Sequence, residues 1–130
     1  MQTAPHYVDV VREVAAFLAA RVAAAQAAGI ARDRIVVDPG FGFGKTAAHN
    51  LALLRALGEF SSLGTAVLAG LSRKSMLGAI TGRAVGERAA ASVSAALIAV
   101  QRGAHIVRVH DVAATRDALT VWQAVLGEVE

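Results

Sequence analysis

Three short apolar runs, each closed by a polar, glycine-bearing loop and each separated from the next by a helical stretch, restrict this chain to an alternating architecture. The runs are Arg34 to Asp38, Thr65 to Ala69 and Ala104 to Val109. β-Branched residues bounded by Pro39-Gly40, Gly70 and His110-Asp111 mark them as strands. Between and around them the spacing is helical. Val8, Val11, Leu18, Val22 and Ala25 form one stripe over Val8 to Ala28, with Gly29 where a C-terminal cap belongs. A second helix is expected from Thr46 to Leu57, with Leu51, Leu54 and Leu57 inward and Gly58 after it. A third is expected from Glu87 to Arg102, capped by Gly103, and a last from Val112 or Thr115 to Leu126.

The order α-β-α-β-α-β-α implies parallel strands joined by right-handed crossovers. Residues 1–130 show no linker, low-complexity segment or second domain. Periodicity alone admits two architectures: a small doubly wound sheet, or three of the eight units of a (β/α)8 barrel.

Composition narrows the function classes. Hydrophobic residues make up 55% of the chain, enough for a core, but aromatics are only 5%, which leaves few surfaces for stacking nucleobases. The net charge of +3 is spread out, with no run of like charge. Neither a nucleic-acid nor a membrane-surface role is expected. The chain has no cysteine, which removes disulfides, thiolate metal sites and cysteine nucleophiles and fits a reducing compartment. Met1 to Tyr7 lacks the basic and apolar regions of a signal peptide, and Ala89 to Val100, interrupted by Ser92 and Ser94, is too short to span a bilayer. A cytoplasmic location is expected.

In parallel α/β folds ligands gather where the strands end, and the polar residues of this sequence lie there. The first run delivers Asp38, the second leads into Ser72-Arg73-Lys74-Ser75, and the third delivers Arg108 and His110. Gly44-Lys45-Thr46 resembles the end of a phosphate-binding P-loop, but the first glycine of that motif falls on Pro39, which has no N–H to offer. Glycines at 40, 42 and 44 do not make a dinucleotide fingerprint either.

Asp38 can accept two parallel N–H bonds from an amidine-like edge, such as a 2-aminopyrimidinone, or simply cap the turn after it. Lys74 and Ser75 precede a helical turn, where Ser75 can cap and an anion can bind, or they form a solvated polar turn. The chain holds eleven arginines and only two lysines, both in these loops, a hint that their compact charge is used. Strand alternation puts Ile106, Arg108 and His110 on one face, a good anion clamp. The plainer reading pairs Arg108 with Asp111 or Asp38 and leaves His110 in the core. His6, His49 and His105 have no ligand spacing and read as structural; no metal cluster is expected from them. Together the residues suggest a flat, hydrogen-bonding heterocycle that carries a phosphate.

Asp38-Pro-Gly-Phe-Gly-Phe-Gly-Lys45, Gly70-Leu-Ser-Arg-Lys-Ser75 and Arg108-Val-His-Asp-Val112 resemble, in order and spacing, the three C-terminal signatures of dihydropteroate synthase. Met1-Gln2 to Val10 is similar to the loop and helix after that family's fifth strand. The resemblance implies strands six to eight of a TIM-like (β/α)8 barrel. It also implies an enzyme of folate biosynthesis that condenses 6-hydroxymethyl-7,8-dihydropterin pyrophosphate with p-aminobenzoate to dihydropteroate, a sulfonamide target. Under it, Asp38 binds the pterin's amino edge, and Lys74 binds its carbonyl side and borders the aminobenzoate. Phe43 flanks the aminobenzoate ring, and Ser75 binds its carboxylate. Arg108 stacks on the pterin and, with His110, holds the pyrophosphate, so Lys74, Arg108 and His110 are the catalytic candidates. The family's Mg2+ is expected to take its protein ligand from the N-terminal half, absent here. The chain is therefore expected to be a fragment with little activity alone, and to self-associate or form a homodimer. A pterin-binding module without catalysis is one alternative. Another pterin-binding barrel, such as a methyltetrahydrofolate methyltransferase, is a second, although methyl transfer needs no anion clamp.

Overall fold

The first helix begins where a side chain can satisfy its free N–H groups. In the computed structural model, which describes residues 6–127, Asp9 caps α1 (Val10–Ala27) by accepting from the Arg12 N–H at 3.2 Å. Val10, Val14, Leu18 and Val22 are its buried stripe. The stripe starts later than the sequence pattern indicated: Val8 precedes the cap and is 92% exposed, and Val11 and Ala25 are only half-buried. Of the expected family loop and helix from Met1-Gln2 to Val10, residues 1–5 lie outside the described residues, and the helix begins at Val10.

A 3-10 turn, Arg32–Arg34, leads into β1 (Val36–Val37). α2 (Ala47–Arg55) is capped reciprocally by Thr46 and His49, with the His49 N–H donating to Thr46 Oγ1 at 3.1 Å and the Thr46 N–H to His49 Nδ1 at 3.0 Å. α2 stops short of Leu57. A 3-10 turn, Leu57–Leu63, takes in Gly58 and buries Leu57 and Phe60, and Leu53, not Leu51, is the fully buried leucine of the helix. Then follow β2 (Ala66–Ala69), α3 (Ser75–Thr81), a 3-10 turn at Val85–Glu87, α4 (Ala89–Gln101), β3 (Ile106–Val107) and α5 (Val112–Leu126).

The strands pair in parallel in the order β1-β2-β3. The two outer strands are shorter than their apolar runs: β1 pairs only with Ala66 and Val67 of β2, and β3 only with Leu68 and Ala69. Register puts Val37, Val67, Ala69 and Val107 on one face, packed with α1, α2 and α4 into the core around Phe41, Leu53, Phe60 and Ala99. The other face carries Val36, Ala66, Leu68 and Ile106 and is bare: Val36 is 48% and Ile106 42% exposed. A doubly wound parallel sheet is covered on both faces; here only one is.

Candidate functional site

The loop after β1 is built by four side chains that reach its backbone. Asp38 ends the strand, and its Oδ1 accepts from the Gly40 N–H at 2.8 Å. Asn50, 2% exposed on α2, accepts from the Gly42 N–H at 2.9 Å. Lys45 folds back to donate to the carbonyls of Gly40 and Phe43, at 3.0 and 3.1 Å. Lys74, from the next loop, donates to the Phe41 carbonyl. Gly42 has φ +85°, which favours glycine, and a Cβ there would press on Lys74 Cδ at 3.2 Å. The two phenylalanines divide the work. Phe41 is fully buried and anchors the loop, whereas Phe43 is 62% exposed with the Lys74 ammonium 4.8 Å from its ring centroid. With Thr46 spent on the cap of α2 and Lys45 on the loop's own carbonyls, a P-loop reading has no residues left to carry it.

The second loop is held from α4. Arg73 adopts φ +60°, rare for a side-chain-bearing residue. Its N–H donates to the buried Ser92 Oγ at 2.8 Å, its carbonyl accepts from Arg88 Nη1 at 3.0 Å, and its guanidinium pairs with Asp111 at 3.2 Å. Ser75 does not cap the helix as the sequence suggested. The extended φ and ψ of Lys74 make it the cap position, and Ser75 is the exposed first residue of α3. Lys74 offers no side-chain cap, since an ammonium has no acceptor for the helix's free N–H groups, and it donates instead to the Phe41 carbonyl.

The third loop faces both. Arg108 lies over Gly70, where a Cβ would overlap its guanidinium, and its Nη1 is 3.4 Å from Asp38 Oδ2. Of the two partners open to Arg108, the structure selects Asp38, because Asp111 is taken by Arg73. His110 is exposed rather than buried in the core, with Nδ1 2.7 Å from Ser72 Oγ. Gly70, Ser72, Lys74, Arg108 and His110 line a cavity of about 120 Å3. A larger cleft of about 450 Å3, between Asp38, Pro39, Lys45 and the Tyr7, Glu13 and Phe17 side of α1, flanks Asp38 on its other side. Four of the expected residues, Asp38, Lys74, Arg108 and His110, thus meet at the carboxyl ends of the strands. Phe43 joins them through Lys74; Ser75 touches none of them through a hydrogen bond.

Lys45, Lys74 and Arg108 confront one carboxylate, Asp38. Burial, and for Lys74 also the nearby Arg108, pushes both lysine pKa values down, which Asp38 partly opposes. Such a site attracts an anion. Among the described residues no group of three His, Cys, Asp or Glu side chains is placed to hold a metal ion, and no helix is long and apolar enough to cross a membrane.

Asn50 and Ser92 escaped the sequence reading although a signal existed. Each is a polar residue on an otherwise buried helical stripe, with Leu53, Leu54 and Leu57 or with Ala95, Ala96 and Ala99. Ser72 and Asp111 stood in the strand-end loops, but their partners, His110 and Arg73, come only from the meeting of distant loops.

Residues 1–110 match the family model for pterin binding enzymes. The chain is 54% identical over 124 residues to dihydropteroate synthase of Haemophilus influenzae, covering 95% of this chain and 45% of that protein. It is 45% identical over 130 residues to the synthase of Escherichia coli, covering 100% and 46%. The crystal structure of the Stenotrophomonas maltophilia enzyme with imidazole in its active site superposes with a TM-score of 0.96 at 60% identity, over 100% of this chain and 49% of that one. The Xanthomonas albilineans enzyme in complex with 7,8-dihydropteroate gives 0.93 at 57% identity, over 97% and 48%. The chain spans about half the length of these relatives.

Proposed function

Since the chain belongs to the family of pterin binding enzymes, we propose that it supplies the carboxyl-terminal share of a dihydropteroate synthase site. There 6-hydroxymethyl-7,8-dihydropterin pyrophosphate and p-aminobenzoate combine to dihydropteroate and pyrophosphate. The observation that carries this is the meeting of Asp38, Lys74, Arg108 and His110 at one rim of a parallel sheet. The bare face of Val36 and Ile106 supports reading β1 to β3 as strands six to eight of a barrel, whose other strands would cover it.

In the reaction the bond from the pterin's methylene carbon to oxygen breaks, with its electron pair leaving on the pyrophosphate. The aminobenzoate nitrogen bonds that carbon and then sheds a proton to solvent. The anion gains charge as the bond breaks, so groups that hold it lower the barrier. Arg108 supplies a fixed cation and His110 a ring nitrogen at the cavity wall. The 3.4 Å contact between Arg108 and Asp38 is longer than a good hydrogen bond, so Asp38 Oδ2 is weakly held and available to the pterin's amino edge. Lys74 lies between the two ligands, hydrogen-bonded to the loop that presents Phe43 to the aminobenzoate ring. Ser75, exposed at the start of α3, is assigned the aminobenzoate carboxylate. The Mg2+ of the resemblance finds no three-ligand cluster among the described residues, and the anion-holding role assigned here rests on Arg108 and His110.

Calorimetry of the chain with a dihydropterin tests the reading. Binding weakened tenfold or more by Asp38→Ala is expected; equal affinity in the variant would remove Asp38 from the site. The purified 130-residue chain is expected to make no dihydropteroate by itself, and measurable turnover would contradict that.

A further inference from the structure

An imidazole placed against an anion is useful only if the nitrogen facing the anion carries a proton. His110 lines the small cavity beside Arg108 and Lys74, and its Nδ1 is taken by Ser72 Oγ, which leaves Nε2 to meet an anion. We propose that Ser72 is a positioning residue that fixes His110 as a hydrogen-bond donor to the departing diphosphate, whether the ring is neutral or protonated. The inference deepens the function proposed above and rests on it.

The proton of one hydroxyl fixes the arrangement. Ser72 is 8% exposed, and its Oγ already accepts from the His110 backbone N–H at 3.3 Å. A hydroxyl has a single proton to give, and leaving it without an acceptor in a buried place costs stability. Among the described residues the acceptor in reach is His110 Nδ1, 2.7 Å away. The Ser72 proton therefore points to Nδ1, and a neutral ring must carry its own proton on Nε2. In a protonated ring Nδ1–H donates to the same Oγ, and Nε2 still carries a proton. Either way the edge left for the anion is a donor, and the two contacts from one hydroxyl, to the ring and to the backbone of the same residue, hold its direction. Ser72 touches no reacting atom in this arrangement and acts through His110.

Nitrogen-15 NMR of the histidine rings tests this on the chain as it stands, at about pH 8, where histidine is ordinarily neutral. The wild-type His110 ring is expected as a single form, protonated on Nε2 with Nδ1 accepting. In Ser72→Ala a share of the Nδ1-protonated form appears, and inorganic pyrophosphate binds about fivefold more weakly, the equivalent of one ordinary hydrogen bond. Ser72→Thr, which keeps the hydroxyl, restores both. His105 is an internal control for folding, because its Nδ1 accepts from the Val67 N–H at 3.0 Å, away from Ser72. Its ring signals should not change. A wild-type His110 protonated on Nδ1 overturns the inference, as does pyrophosphate affinity unchanged in Ser72→Ala. If the wild type binds no pyrophosphate at all, the proposed function fails, and the ring signals decide the geometry of Ser72 and His110 by themselves.

Discussion

Replacing Gly70 by alanine should separate ligand binding from stability. A Cβ at Gly70 would overlap the Arg108 guanidinium, with Cζ at 2.8 Å and Nε at 3.1 Å. Ordinary contact needs about 3.5 Å, so the guanidinium must move by roughly 1 Å. Gly70 does not have a positive φ, so alanine fits its backbone, and the group that must yield is the mobile end of a half-exposed side chain. The stability lost is at most the Asp38–Arg108 pair. With Arg108 55% and Asp38 36% exposed and the two 3.4 Å apart, that pair is worth no more than about 1 kcal/mol. The melting temperature should then fall by less than about 4 °C. Binding is another matter, because a hydrogen bond to a charged group carries about 1.5–3 kcal/mol, or roughly 10- to 150-fold in affinity. Calorimetric titration of wild type and Gly70→Ala with pyrophosphate, beside thermal melts of both, measures the two effects. Unchanged affinity, or a melting temperature lowered by far more than 4 °C, would refute the placement of Arg108 on Gly70 as the basis of anion binding.

The two phenylalanines of the first loop should behave oppositely. Phe41→Ala, at a fully buried position, is expected to cost about 3–5 kcal/mol in denaturant unfolding. Phe43→Ala should leave stability within about 0.5 kcal/mol and weaken p-aminobenzoate binding. The lowered lysine pKa values fix the sign of a pH effect. The unfolded chain binds more protons between the lowered values and the ordinary 10.5, so this contribution to stability rises with pH across that window. Lys45→Met should flatten the rise seen in unfolding curves taken from neutral to alkaline pH; an unaltered slope would exclude Lys45 as its source. The bare sheet face should drive self-association, read as a concentration-dependent mass in light scattering, and a monomer at all concentrations would count against it.

Much of the architecture was legible in the residues themselves. Alternation of apolar runs with helical stripes specified three parallel strands, because local periodicity and chain connectivity suffice for that, whereas their order in the sheet, β1-β2-β3, is a tertiary finding. The glycines and polar residues after each run marked the rim at which Asp38, Lys74, Arg108 and His110 meet, for the same reason. Tertiary structure decided what depends on distant partners. Nothing in the spacing of Phe41 and Phe43 told which would be anchored in the core and which displayed; the reach of Asn50 and Lys74 to the loop did. Arg108 had two carboxylates to choose from, and the prior claim of Arg73 on Asp111 settled the choice. The open sheet face was equally invisible beforehand, since alternation says which residues share a side but not whether anything lies against it.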